Sequence, residues 1–280
     1  MVATIVHALV LAAAGISDPT PAEYEKHAAG LREKLPRGFT VVVEPPFVVA
    51  GDEPAETVRR RAEKTVRWAA SLLRKQFFEK GPSGILDVYL FKDEASYERN
   101  ALALFGETPG TPFGYYSRAD RALVMNIATG GGTLVHEIVH PHVEADFPGC
   151  PDWLNEGLGS LFEQSAERGG KIVGLTNWRL AGLQEAIREG AAVPFEKLLA
   201  TTSVEFYGDE RGVHYAQARY LCYWLQEKGL LERFYKAFRA GRAEDPTGIA
   251  TLKRVIGKDD LAAFRKEWEA FVLALEFRQK

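Results

Sequence analysis

Residues 20–35 are charged and Ala-rich, and Pro36-Arg37-Gly38 closes what the pattern predicts to be a short helix. A β-branched stretch follows at 39–51. Pro45-Pro46 divides it, which predicts either a strand pair or one bent strand. Pro54 suits a first helical turn, and beyond it Val58, Ala62, Val66, Ala69, Leu73 and Phe77 recur at helical spacing. That spacing predicts a long amphipathic helix, with Arg59, Arg60, Arg61, Lys64 and Arg67 as its solvated face and a binding patch as the alternative. After the break at Gly81-Pro82-Ser83-Gly84, the short apolar run at 85–91 reads as a strand and 93–105 as a helix. Segments 114–117 and 122–127, joined by a polar turn at 118–121, read as a hairpin. Segment 122–127 is the expected sheet edge. From Thr133 onward helical periodicity dominates, punctuated at Pro148-Gly149, Gly169-Gly170, Gly208 and Pro246. No repeat of fixed period is present. The pattern is α+β, with strands confined to the first half.

Composition narrows the class. With 280 residues, 46% hydrophobic and 26% charged, the chain can bury a sizeable core. Lys and Arg total 35 against 38 Asp and Glu, a net charge of -3. No global basic field exists to hold a phosphate backbone, so nucleic acid is not an expected partner. The apolar run at 2–14 is too short for a membrane span of about 20 residues. Ala12-Ala13-Ala14-Gly15 after it fits a signal-peptidase site, although no Lys or Arg precedes it. Residues 1–14 are therefore a candidate signal peptide, which predicts a secreted or periplasmic protein; without it the chain would be cytoplasmic. Cys150 and Cys222 are expected as two buried free thiols, with a disulfide between them as the alternative.

The segment that carries chemistry is Thr133-Leu134-Val135-His136-Glu137-Ile138-Val139-His140. On a helix, positions four apart differ by about 40° in azimuth, so both imidazoles project from one face and can share a metal. Glu137 is one step round, near enough to reach a water on that metal. This is the HExxH arrangement, in which two histidines bind zinc and the glutamate is the general base. A catalytic zinc needs a third protein ligand, and Pro151-Asp152-Trp153-Leu154-Asn155-Glu156-Gly157-Leu158 supplies one. Asp152 can begin a helix, Trp153 anchors it, and Glu156 faces back. Gly157 is expected to leave room beside the metal. Glu144 and His142 are rivals, but Pro141 should kink or end the helix before them. Ser160 or Glu163 could hydrogen-bond a ligand histidine. Trp178, Trp224 and Trp268 read as core on C-terminal helices, with lining of the substrate cleft as the alternative.

HExxH followed after a short turn by Trp-Leu-Asn-Glu-Gly resembles the gluzincin zinc metallopeptidases. With Gly130-Gly131-Gly132-Thr133 before His136 and His214-Tyr215-Ala216-Gln217-Ala218 downstream, the chain looks most like their peptidase-MA-like group, over roughly residues 85 to 230. The resemblance implies one Zn²⁺ per chain on His136, His140 and Glu156, and Glu137 as base. It also implies a helix-borne Tyr or His that steadies the developing oxyanion, Tyr215 first and His214 second. The Gly-x-Met-Glu-Asn motif of gluzincin aminopeptidases is missing, since Val124 precedes Met125-Asn126. The fold implied is a two-lobed zincin: an α/β lobe at 20–147 with a mixed sheet and the HExxH helix, an all-helical lobe at 148–280 with the third ligand, and a cleft between them. The expected function is hydrolysis of peptide bonds in a peptide or protein substrate. The alternatives are a catalytically idle binding module, which would not need Glu137, and a zinc hydrolase of a non-peptide amide or ester. The sequence leaves oligomeric state open.

Overall fold

A computed structural model describes residues 18–277. The candidate signal peptide at 1–14 lies outside them. Helix α1 (Pro21–Lys34) opens on a capping box: the Thr20 hydroxyl accepts the Glu23 N–H, and the Glu23 carboxylate accepts the Thr20 N–H at 2.7 Å. Strands β1 (Thr40–Glu44) and β2 (Phe47–Gly51) resolve the divided stretch as an antiparallel hairpin that turns at Pro45-Pro46 and pairs Glu44 with Phe47. The long amphipathic helix is α2 (Ala55–Arg61), a π-helical segment (Ala62–Arg67) and α3 (Trp68–Gln76) in succession. Its apolar positions mostly step by four residues, slightly more than an α turn, and the wider π turn absorbs the difference. Its cluster of basic residues is an ion-paired face: Arg59 meets Glu56, Arg61 meets Glu53, Lys64 meets Glu63 and Arg67 meets Glu44.

Strand β3 (Leu86–Phe91) leads to α4 (Glu94–Phe105), capped by the Asp93 carboxylate on the Ser96 N–H and ended by Gly106 in the left-handed region. Strands β4 (Gly114–Ser117) and β5 (Ala122–Asn126) form the expected hairpin. The sheet order is β1-β2-β3-β5-β4, with β2, β3 and β5 parallel and the outer strands antiparallel. The expectation that 122–127 forms the edge is therefore corrected. The hairpin folds outward, so β5 pairs with β3 on one side and β4 on the other, and β4 is the edge strand. This sheet is buried on both faces. Phe47, Val49, Leu86, Val88, Leu90, Leu123 and Met125 face one core, and Val48, Ala50, Tyr89, Phe91 and Val124 face a smaller one shared with α1 and α4. Burial on both sides is why these strands read as unbroken apolar runs.

Helix α5 (Gly131–Asp146) lies on the larger core and continues through Pro141. The helix does not end at that residue, as the sequence led one to expect. Proline forfeits only its own N–H bond to the preceding turn, and the last turn is held from outside. The buried Asp146 carboxylate accepts from the Lys80 backbone, the Tyr235 hydroxyl and the Arg239 guanidinium. Helix α6 (Asp152–Phe162) follows a short turn. The second half is then helical: α7 (Arg179–Arg188), α8 (Phe195–Leu199), α9 (Ser203–Phe206), α10 (Arg211–Glu227), α11 (Leu231–Ala240), α12 (Ile249–Ile256) and α13 (Leu261–Leu273). It has one addition, a hairpin of β6 (Ser165–Arg168) and β7 (Lys171–Gly174). Its turn is Gly169-Gly170, both at positive φ, the pair that a two-residue hairpin loop favours. The larger core runs without interruption from the sheet through α5 and α6 to α13. Among the described residues no helix is long and apolar enough to cross a membrane.

Candidate metal centre

Helices α5 and α6 bring His136, His140 and Glu156 together, with one potential ligand atom from each within 4.8 Å of the others. The Nε2 atom of His136 is 3.0 Å from Glu156 Oε2, and His140 Nε2 is 3.9 Å from the same oxygen. Ligands about 2.0–2.1 Å from a tetrahedral zinc lie about 3.3 Å apart, so the three atoms bracket that spacing. Both imidazoles are held from behind. Glu163 Oε1 faces His136 Nδ1 at 3.1 Å, and Asn155 Oδ1 faces His140 Nδ1 at 3.0 Å. An acceptor on Nδ1 fixes the tautomer that leaves the Nε2 lone pair free for a metal. Glu163 is itself clamped by Arg179, 2.9 Å from Nη2 to Oε1, and by the Asn177 side chain.

Two glycines permit this approach. A Cβ on Gly159 would come 2.9 Å from His136 Nε2, and one on Gly132 would come 2.2 Å from the Glu163 carbonyl oxygen. Gly157, expected beside the metal, instead faces α10, where a Cβ would meet the Ala218 carbonyl and Cys222 Sγ at 3.0 Å. Helical geometry explains the correction: Glu156 and Gly159 are three apart and share a face, whereas Gly157 is turned about 100° away.

Electrostatics favour a cation. The carboxylates of Glu137, Glu156 and Glu163 are all buried, and among the described residues Arg179 is the only guanidinium paired with any of them. Uncompensated negative charge in a buried site is costly without a counter-charge. Burial opposes ionisation of Glu156, yet the neighbouring His140 and His136 hold its carboxyl down at about 2. Burial works against a proton on His136 as well, but Glu156 and Glu163 hold its imidazole well above the usual range. The cluster draws positive charge to the point where the three ligand atoms meet. Imidazole nitrogen and carboxylate oxygen are a donor set that zinc accepts. Glu137, whose Oε2 is 3.9 Å from His140 Nε2, stays off that set; burial raises its carboxyl above the ordinary range.

Two tyrosines border Glu156. Tyr207, at the end of α9, donates to Glu156 Oε1 at 2.7 Å. Tyr215, on α10, lies beside it with ring centroids 6.2 Å apart, and burial followed by the charge of Glu156 pushes its phenol up. His214 is directed elsewhere. It is buried, its Nδ1 is 3.2 Å from the Phe206 carbonyl oxygen, and its ring stacks on Phe206. One residue along a helix is about 100° of rotation, so Tyr215 and His214 cannot both face Glu156. Glu144 is exposed and pairs with Arg118, and His142 is buried against Phe78 with Nδ1 on the Ile138 carbonyl. Of Ser160 and Glu163, the latter at the C-cap of α6, Glu163 supports a histidine, and the Ser160 hydroxyl is buried without a partner among the described residues. Trp224 and Trp268 are core, but Trp178 is 51% exposed, contrary to its reading as core. Cys150 and Cys222 are free thiols. Sequence reasoning missed Tyr207 and Arg179, which reach the site from the ends of helices α9 and α7. Asn155 was within sight, directly before Glu156.

No family model matches the chain, and no curated protein matches it. Among solved structures it is similar to native yeast LTA4 hydrolase, at TM-score 0.43 and 13% identity over 85% of this chain and 38% of that one. The chain thus spans well under half the length of that structure.

Proposed function

We propose that this chain is a zinc-dependent metallopeptidase of gluzincin type, with His136, His140 and Glu156 as ligands and Glu137 as general base. The observation that carries the reading is the convergence of two imidazole Nε2 atoms, each fixed by an acceptor behind it, on one buried carboxylate oxygen, with the Glu137 carboxylate alongside. Zinc bound there supplies a water whose pKa is lowered towards about 7 and a Lewis acid for the substrate carbonyl. Glu137 takes the proton of the attacking water on a carboxylate oxygen, holds it in its buried surroundings, and returns it to the leaving amine nitrogen. The Tyr215 hydroxyl donates to the carbonyl oxygen as charge builds there, and Tyr207 is placed to share that role or to steady Glu156. The free edge of β4, beside α5, offers main-chain groups to an extended peptide. On this reading 20–147 and 148–280 are the two walls of the cleft.

Metal analysis and a peptide-library digest test the proposal together. The expected result is one zinc per chain and cleavage that Glu137→Gln abolishes while zinc content stays unchanged. Protein refolded with zinc that retains none, or a Glu137→Gln variant with full cleavage, rules it out.

A further inference from the structure

Beyond the metal ligands, aromatic rings continue outward in a row. Tyr207 touches Glu156, Tyr215 follows at 6.2 Å between ring centroids, and the Arg179 guanidinium carbon sits 5.4 Å from the Tyr215 ring and 5.4 Å from the Trp178 ring. Arg179 is anchored in turn on Glu163, the carboxylate behind His136. The row is therefore continuous with the metal cluster through bonded contacts at both Glu156 and Glu163. It is also open: Tyr207 is 41% and Trp178 is 51% exposed, so large apolar surface stands uncovered at the rim of a buried polar centre. Exposed aromatic surface beside such a centre marks a place where a ligand is covered.

We propose that Tyr207, Tyr215 and Trp178 form the side-chain subsite of this centre, selecting substrates with large aliphatic or aromatic residues next to the scissile bond and disfavouring basic ones. The inference rests on the metallopeptidase reading. Side chains on one face of an extended peptide recur about every 6.6 Å, close to the step between the Tyr207 and Tyr215 rings, so successive side chains on that face can each meet a ring. Aliphatic and aromatic groups bury the exposed ring surface. A lysine or arginine has less to gain, because Arg179 already lies over the Tyr215 and Trp178 rings, where a cation would bind. Trp178 is a specificity residue in this account, with no part in the proton transfers.

Binding of tripeptide hydroxamates to the zinc-loaded full chain tests this without requiring turnover. Trileucine, triglycine and trilysine are each prepared with the hydroxamate at the C-terminus and, as malonyl hydroxamates, at the N-terminus, so that side chains lie on either side of the metal. In one orientation the trileucine compound is expected to bind at least tenfold tighter than triglycine, and trilysine no tighter than triglycine. Trp178→Ala is expected to cut that leucine-to-glycine ratio at least threefold with zinc content unchanged, and Trp178→Phe to keep most of it. A ratio within twofold in both orientations on zinc-loaded protein, or one that Trp178→Ala leaves intact, overturns the subsite alone. A chain that retains no zinc and binds none of the six compounds overturns the metallopeptidase reading with it.

Discussion

A methyl group added at Gly159 would lie 2.9 Å from His136 Nε2 and 3.0 Å from its Cδ2. Neither the ring, fixed at Nδ1 by Glu163, nor the backbone of α6 has an easy direction of retreat. Gly159→Ala is expected to weaken zinc binding about 10- to 100-fold, the range typical of disturbing a ligand's support, as read by competition with a chromogenic chelator. On the proposed mechanism the Tyr215 hydroxyl acts where charge develops, so Tyr215→Phe is expected to lower kcat more than it raises KM; unchanged steady-state kinetics would leave Tyr215 a packing role alone. At this scale His136, Glu137, His140 and Glu156 were legible, since the four-residue helical step alone brings the two imidazoles to one face and the short turn brings the next helix back. Glu163 was visible as one of two options, with Ser160. Tyr207 and Arg179 were hidden because nothing local marks a residue that arrives from the end of a helix elsewhere in the chain.

Among the elements, α1, α4 and the β1–β2 and β4–β5 hairpins were legible because their ends carry local chemistry: the Thr20 capping box, the Asp93 cap, Pro45-Pro46 and the polar turn before β5. Strand order was not, since only tertiary pairing decides that β5 is interior and β4 is the edge. The β6–β7 hairpin was not foreseen, because a glycine pair between helical stretches reads as a helix stop, which is how Gly169-Gly170 reads in the sequence. Helix α10 shows what the periodicity conceals. Arg219 is wholly buried, and its guanidinium donates to the Ser160 and Leu161 carbonyls at the end of α6 and to the Leu175 carbonyl after β7. It closes the C-terminal turn of α6, the helix that carries Glu156 and is capped at Glu163. Arg219→Leu strands those carbonyls without partners and is expected to cost more than about 2 kcal/mol of stability, measured as a lower urea midpoint at unchanged slope.

For the whole molecule, the candidate metal centre sits where the sheet-side core meets the helices that follow it, and its buried carboxylates favour positive charge there. Zinc that binds only the folded chain stabilises it by about 4 kcal/mol at a free concentration a thousandfold above its Kd. Chelation is therefore expected to lower Tm by several degrees, and one equivalent of zinc to restore it; magnesium, which prefers six oxygen ligands, should not. A Tm indifferent to chelator would mean that the cluster satisfies its own charge.

The two missing methyl groups at Gly132 and Gly159 also bear on ancestry. Helix α6 is buried along nearly its whole length, and a gap one carbon wide within it must be inherited intact. A homologue that carries alanine at the place of Gly159 has displaced either its first imidazole or the helix facing it, and its HExxH text alone would not reveal which.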